Sequence, residues 1–118
     1  MLTDEGVRQL RLFPQLIDLD LGSTPTNDGA IETLLKLTSL ECLFLDKSKI
    51  TDASLAALKG LRNLDCLDIR DTAVTDRAIP FFSAYANLGV LYVTGTKISK
   101  QGITRLQRAL PDLLLPGT

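Results

Sequence analysis

The chain has 118 residues, of which 45% are hydrophobic and 23% charged, and its 13 basic and 14 acidic side chains leave a formal net charge of −1. This length and composition predict one soluble globular domain, and the balanced charge excludes a nucleic-acid-binding protein that relies on bulk positive charge. No apolar run is long enough to cross a membrane, and the acidic N-terminus has no signal-like apolar segment, which favours a cytoplasmic location without membrane contact.

Histidine is absent from the sequence, and only two cysteines are present. The missing histidine removes the commonest general base, the commonest transition-metal ligand and every Ser–His or Cys–His nucleophile pair. Two cysteines are too few for a fold held together by disulfides. The sequence therefore predicts a protein that is not an enzyme and that holds neither a metal nor a cofactor.

The sequence repeats itself every 24 residues. Three apolar positions recur in each repeat, and they are Leu16, Leu40, Leu64 and Leu88, then Leu19, Leu43, Leu67 and Leu91, then Leu21, Leu45, Ile69 and Val93. The predicted repeats, all within one domain, are about 2–25, 26–49, 50–73, 74–97 and 98–118. A recurrence this regular indicates a repeat architecture.

Each repeat combines two apolar spacings. Its first half alternates in twos, which predicts a short strand with one buried face, and its second half has apolar residues three apart, which predicts a short helix. Good N-cap residues precede the helices, and they are Thr3, Asn27, Thr51, Thr75 and Ser99. A carboxylate follows each of the first four, at Asp4, Asp28, Asp52 and Asp76, near the positive end of the helix dipole. We expect parallel strands side by side with helices on the outer face, and a helix over residues 3–12 covering one end.

The segment ITDASLAALKGLRNL, from Ile50 to Leu64, is similar to the ITDxGLxxLxxLxxL subclass of leucine-rich repeats. That subclass is common in bacterial repeat arrays and is related to the cysteine-containing repeats of F-box proteins. The resemblance covers essentially the whole chain and implies an α/β leucine-rich-repeat solenoid of about four and a half repeats. Family repeats usually carry Asn or Cys in the turn after the strand. Here hydroxyls take that place and are expected to bond the turn backbone, at Thr24, Ser48, Thr72 and Thr96.

The spacing slips by one residue after Gly102. We interpret residues 113–116 as a truncated last strand whose proline helps to close the sheet edge. The strand at residues 16–21 leaves the opposite edge unpaired, so we expect the chain to be part of a larger array or protein.

In such a solenoid the strand positions between the buried leucines form the concave face, which carries recognition. Seven acidic and two basic residues over 16–23, 40–47, 64–71 and 88–95 give it a local charge of −5, against +4 for the rest of the chain. We predict that this face binds a protein partner that is basic and has apolar anchors, around exposed Phe44 and Tyr92. Charges that serve only solubility are the alternative. The predicted partner-binding residues are Asp18, Asp20, Glu41, Cys42, Phe44, Asp46, Asp65, Cys66, Asp68, Arg70, Val90 and Tyr92.

Cys42 and Cys66 occupy the same position in neighbouring repeats, which allows three interpretations. A disulfide is awkward, because Cβ atoms on adjacent parallel strands lie about 5 Å apart rather than the ~3.8 Å that the bond prefers. A zinc site needs two more ligands, and only Asp18, Asp65 or Asp68 could supply them. We favour two reduced thiols that form a mildly apolar patch.

The helix side carries basic residues, and they are Arg8, Arg11, Lys36, Lys59, Arg62, Lys100, Arg105 and Arg108. We favour an ordinary solvated surface here, and an acidic partner or a second copy's concave face is the alternative. The first hypothesis for function is a non-catalytic protein-interaction module. Self-association, as a dimer or head to tail, is the second, and a role as the adaptor or effector recognition domain of a larger protein follows by family analogy.

Overall fold

Short strands and helices alternate along a molecule of 39 × 24 × 21 Å. The computed structural model describes residues 4–118, with side chains from Gly6 onward. Its parallel strands lie side by side in chain order, and they are β1 (Asp18–Asp20), β2 (Cys42–Phe44), β3 (Cys66–Asp68) and β4 (Val90–Tyr92). Partner residues on neighbouring strands are 24 positions apart, as the repeat predicts.

A helical segment precedes each strand or follows the last one. The helices are α1 (Asp4–Gln9), α2 (Ile31–Leu34), α3 (Asp52–Leu58), α4 (Ile79–Phe82) and α5 (Lys100–Ala109). Single 3-10 turns extend them at Leu10–Leu12, Asp28–Ala30 and Asp76–Ala78. The helix predicted over 3–12 therefore ends in a 3-10 turn at Leu12.

The predicted N-caps are confirmed wherever the structure describes them. A side-chain oxygen of each cap accepts a backbone N–H of the first helical turn, at Asn27, Thr51, Thr75 and Ser99. Such a bond satisfies one of the amides that the first turn of a helix leaves unpaired. Thr3, the first predicted cap, lies outside the described residues.

The repeated leucines form the core. At the strand centres Leu19 is 9% exposed and Leu43, Leu67 and Leu91 are fully buried. Helix residues such as Leu55 and Leu58 pack beneath them and are also fully buried. Every strand is therefore fixed by one inward leucine, and its two neighbouring positions point to the other face of the sheet.

The hydroxyls in the turns after the strands bond the backbone, as predicted. Each donates to the carbonyl three residues earlier at 2.6–2.7 Å, and the donors are Thr24, Ser48, Thr72 and Thr96. One residue before each hydroxyl the backbone is left-handed, with φ between 57° and 75°, at Ser23, Lys47, Asp71 and Gly95. At Gly95 a Cβ would overlap the Asp71 carboxylate where it now lies, so a larger residue there would have to displace that exposed side chain.

A ladder of carboxylates, which was not predicted from the sequence, joins each repeat to the next. Asp52 accepts the backbone N–H of Thr75 at 2.7 Å and its hydroxyl at 2.6 Å. Asp76 accepts the same two groups of Ser99 at 2.7 and 2.5 Å. Asp28 does so with Thr51, and it also accepts the Ser54 hydroxyl. These aspartates, predicted only as partners of the helix dipole, therefore also connect consecutive repeats.

The ladder makes stability depend on acidity. Burial opposes the ionisation of Asp28, but hydrogen bonds from Ser54 and Thr51 outweigh it and lower the pKa of the carboxyl below its usual 3.8. The hydroxyl and amide of Ser99 likewise lower the pKa of Asp76. A depressed carboxyl pKa stabilises the fold above the unfolded pKa, and this stabilisation is lost as the pH falls through the folded pKa.

We therefore expect the free energy of unfolding to be steady from pH 7 to about pH 5 and to fall below about pH 4. Urea titrations followed by circular dichroism at pH 7, 5, 4 and 3 measure this. In the double variant Asp28→Asn/Asp76→Asn the acid-dependent loss should be smaller. Parallel pH profiles for the two proteins would contradict the assignment.

The chain ends in one more strand position. Leu114 forms a parallel bridge with Val90, and its carbonyl accepts the Leu91 N–H at 2.9 Å. Because Val90 and Leu114 are again 24 residues apart, the one-residue slip predicted after Gly102 does not persist. It is absorbed between α5 and the bridge, where Leu113 is 9% exposed and fills the core position.

Candidate functional site

Two rows of side chains run across the strands on the concave face. The first row consists of Asp18, Cys42, Cys66 and Val90, and the bridge adds Leu114 as a fifth member. The second row consists of Asp20, Phe44, Asp68 and Tyr92. With parallel strands about 4.8 Å apart, successive members of each row lie side by side. The register predicted for the eight strand residues of these rows is confirmed.

The members of these rows differ in exposure. Asp18, Asp20, Glu41 and Asp65 are exposed, and so is Arg70. Six others are half-buried, and they are Cys42, Phe44, Asp46, Cys66, Val90 and Tyr92. The expectation that Phe44 and Tyr92 are exposed is corrected to partial burial. Asp20 and Asp68 lie on either side of Phe44 in the row, and Arg70 lies over the Tyr92 ring.

Asp68 is fully buried, although its strand position predicted an exposed carboxylate. Arg70 covers it: Nε lies 3.0 Å from Oδ1 and Nη2 lies 2.7 Å from Oδ2 of Asp68. The guanidinium also lies 5.1 Å from the centre of the Tyr92 ring, in a cation–π contact. Asp68 is thus already paired and presents no charge to a partner, while Arg70 presents a fixed guanidinium.

Cys42 and Cys66 are neighbours in register and are both free thiols. Burial, together with the adjacent Cys66 thiol and the Asp18 carboxylate, raises the pKa of Cys42 to about 11. Burial also raises the pKa of Cys66. Both thiols are therefore protonated near neutral pH, and a protonated thiol is a poor nucleophile and a poor metal ligand. Among the described residues no group of three or more His, Cys, Asp or Glu side chains is arranged to hold a metal ion.

The basic residues predicted on the helix side are all exposed, and they are Arg8, Arg11, Lys36, Lys59, Arg62, Lys100, Arg105 and Arg108. Arg105 lies 3.5 Å from the Asp76 carboxylate. Among the helices that the structure describes, none is long and apolar enough to cross a membrane. The cytoplasmic location stays a prediction.

An apolar surface that was not predicted from the sequence lies at each end of the molecule. Leu12, Phe13 and Ile17, beside β1, are 62%, 58% and 50% exposed, and Leu114, beyond β4, is 62% exposed. Position by position, Leu12 aligns with Lys36, Gly60 and Ala84. Ile17 likewise aligns with Glu41, Asp65 and Gly89. The repeat itself therefore does not require leucine or isoleucine at these positions. This difference between repeats is the feature of the sequence that could have predicted the apolar surface.

Solved structures share this arrangement of strands and helices. Internalin C2 of Listeria monocytogenes superposes with a TM-score of 0.71, is 31% identical in sequence, and is matched over 91% of this chain and 43% of its own. A leucine-rich-repeat protein of Leptospira interrogans gives a TM-score of 0.66 at 22% identity, over 98% of this chain and 28% of its own. The chain is a leucine-rich-repeat protein.

The leucine-rich-repeat fold also matches a chain of the Chaetomium Mex67:Mtr2 structure, with a TM-score of 0.70 at 15% identity over 98% of this chain and 91% of that one. No protein-family model matches the sequence, and neither does any curated protein. This leucine-rich-repeat chain spans less than half the length of internalin C2 and of the Leptospira protein. Membership of the ITDxGLxxLxxLxxL subclass stays a prediction.

Proposed function

We propose that this protein is a non-catalytic interaction module that binds a protein partner through its concave face. Its leucine-rich-repeat neighbours support a protein-interaction role in general. The observation that carries the assignment to this face is the pair of aligned rows, in which exposed carboxylates lie beside half-buried aromatic rings. The chain is proposed to be part of a larger array or protein.

The charge of the concave face supports a basic partner. Asp18 and Asp20 on β1, with Glu41 and Asp65 next to β2 and β3, give the surface a negative side, whereas β4 contributes none of these carboxylates. Opposite charge on a partner would steer its approach and fix its orientation. Phe44 and Tyr92 supply the apolar contact area on which binding energy usually concentrates.

The chemistry of the face supports binding rather than catalysis. The two thiols are held protonated, as described above, so neither is an activated nucleophile. The buried carboxylate of Asp68 is occupied by Arg70. The remaining carboxylates of the rows are solvent-exposed, an environment that does not tune a catalytic group.

Capture from the native cell extract tests the proposal. We expect Asp18→Lys/Asp20→Lys to weaken capture of the partner at least tenfold, and Phe44→Ala to weaken it about five- to thirtyfold. Asp112→Lys, an exposed acidic residue outside the rows, is the matched control and should bind like the unaltered protein. Asp68 is left intact because it is buried beneath Arg70.

The partner identified by mass spectrometry should then bind the purified protein more weakly as salt rises, because the attraction is between exposed charges. Circular dichroism confirms that each variant is folded. Capture of the same partner, undiminished, by both concave-face variants would sink the assignment.

End-to-end association of copies is a second proposed function, favoured by the apolar surfaces at the two ends. One contact area consists of Leu12, Phe13 and Ile17, which lie outside the two rows. The other is Leu114 at the opposite end, which is the last member of the first row. Light scattering over a series of protein and salt concentrations separates the two candidates. A monomer under every condition removes the second.

A further inference from the structure

A groove of about 480 Å³ lies at the C-terminal end of the molecule, apart from the predicted concave-face residues. Its walls include Val93, Ile98 and Ile103, and Lys100 stands among them. No acidic side chain lines it among the described residues. The groove is thus apolar with a cation in its lining, the composition of a site that takes an apolar group next to an anion.

The earlier repeats show what fills the equivalent space inside the molecule. Ile50 and Val74 occupy the position of Ile98 and are fully buried. Leu55 occupies the position of Ile103 and is also fully buried. Ile98 and Ile103 themselves are only half-buried among the described residues. The residues that line the groove therefore occupy positions that belong to the core in the earlier repeats, and the groove has room for an aliphatic side chain.

The charged residue of the groove, Lys100, has the opposite sign to the residue at the same position in the earlier repeats. Inside the molecule, Asp28, Asp52 and Asp76 each accept the N–H and the hydroxyl of the residue that directly follows the aliphatic position of the next repeat. At the end of the row, Lys100 replaces the aspartate. An ammonium there repels such donors and attracts an acceptor, and the positive end of the ten-residue helix α5 adds to this preference. A further repeat of the same kind therefore fits this end poorly.

We propose that the end groove binds a protein segment in which an aliphatic residue is followed directly by an aspartate or glutamate. The aliphatic side chain fills the space between Ile98 and Ile103, and the carboxylate pairs with Lys100. The order of the two residues follows the internal repeats, where Val74 directly precedes Thr75 and Ile98 directly precedes Ser99. This surface is separate from the concave face and does not depend on the function proposed for it.

Two peptides test the proposal, acetylated and amidated Gly-Ser-Ile-Glu-Ser-Gly and Gly-Ser-Ile-Lys-Ser-Gly, each titrated into the ¹⁵N-labelled full chain. We expect the first peptide to shift the amide signals of Gly95, Ile98, Lys100 and Ile103, and to bind about three- to tenfold more tightly than the second. Lys100→Glu should reverse this preference. Lys100 is exposed, so the variant should fold normally, which its thermal melt checks.

Asp18→Lys/Asp20→Lys is the control for the concave face and should bind the first peptide like the unaltered chain. The proposal fails if neither peptide shifts these signals, if both bind equally, or if Lys100→Glu leaves the preference unchanged. It also fails if the shifts map to the concave face. Concentration-dependent association of the chain that Lys100→Glu abolishes would make a second copy the occupant and overturn the assignment to a partner.

Discussion

Arg70→Ala is expected to lower the free energy of unfolding by about 2 to 3 kcal/mol, because it leaves the buried Asp68 carboxylate without its partner. Removing one member of a buried ion pair costs more than the pair contributes, since the remaining charge stays desolvated. The Asp68 side chain is 1% exposed and that of Arg70 is 46% exposed, so water can replace part of the lost contact. This partial access places the expected loss just below the roughly 3–5 kcal/mol that breaking a fully buried pair costs.

The double variant Asp68→Leu/Arg70→Ala separates this explanation from simple loss of contact. It removes the buried charge together with its partner, so it should be more stable than Arg70→Ala alone by about 1 kcal/mol. Urea titrations of the two variants and the unaltered protein give the comparison. Tyr92→Phe keeps the ring beneath the guanidinium and is the control, with little expected change. A double variant less stable than Arg70→Ala would contradict the assignment.

Asp52→Ala should cost about 2 kcal/mol of unfolding free energy. The change removes the acceptor for both the N–H and the hydroxyl of Thr75, at 2.7 and 2.6 Å, across the boundary between two repeats. It also removes a carboxylate from the first turn of α3, where the helix dipole favours negative charge. Because a repeat protein is stabilised by contacts between neighbouring repeats, the loss should loosen the attachment of residues 74–118.

Hydrogen exchange tests that expectation directly. Amides of α4 and β4 should lose protection more than those of β1 in Asp52→Ala. Asp112→Ala, an exposed aspartate away from the ladder, is the matched control and should change stability by less than about 0.5 kcal/mol. A cycle with Thr75→Val measures the coupling of the two side chains. Additive losses in that cycle would show that Asp52 and Thr75 act separately.

Much of the fold was predictable because it depends on periodic features of the sequence. The spacing of Leu19, Leu43, Leu67 and Leu91 fixes the strand register, since a shift of one residue would turn each leucine to the solvent. The turn hydroxyls and the N-caps also recur with the repeat. Their hydrogen bonds were predictable because each side chain bonds a backbone group only two or three residues away. The carboxylate ladder was not, since it joins residues 23 positions apart in ways that a helix-dipole argument does not reveal.

The candidate site was predictable in its alignment and less so in its chemistry. Strand alternation places Asp68 and Tyr92 on the outer face, but it carries no information about Arg70 folding back over the carboxylate. The exposure of Leu114 was not predictable, because it depends on the pairing of Leu114 with Val90. The one-residue slip after Gly102 made that pairing uncertain from the sequence. The role of Lys100 was not predictable from the sequence, because it depends on the hydrogen bonds that an aspartate makes at the same position in the other repeats.

The carboxylate ladder also determines how a molecule of this kind can change in length. Removing residues 50–73 would bring Asp28 against Thr75 and Leu43 beside Leu91, so both the ladder and the sheet would keep their partners. Removing one residue fewer would misalign every later carboxylate and turn the following strands inside out. The concave face should therefore change in size only by whole repeats, and each repeat gained or lost would add or delete one strand of it.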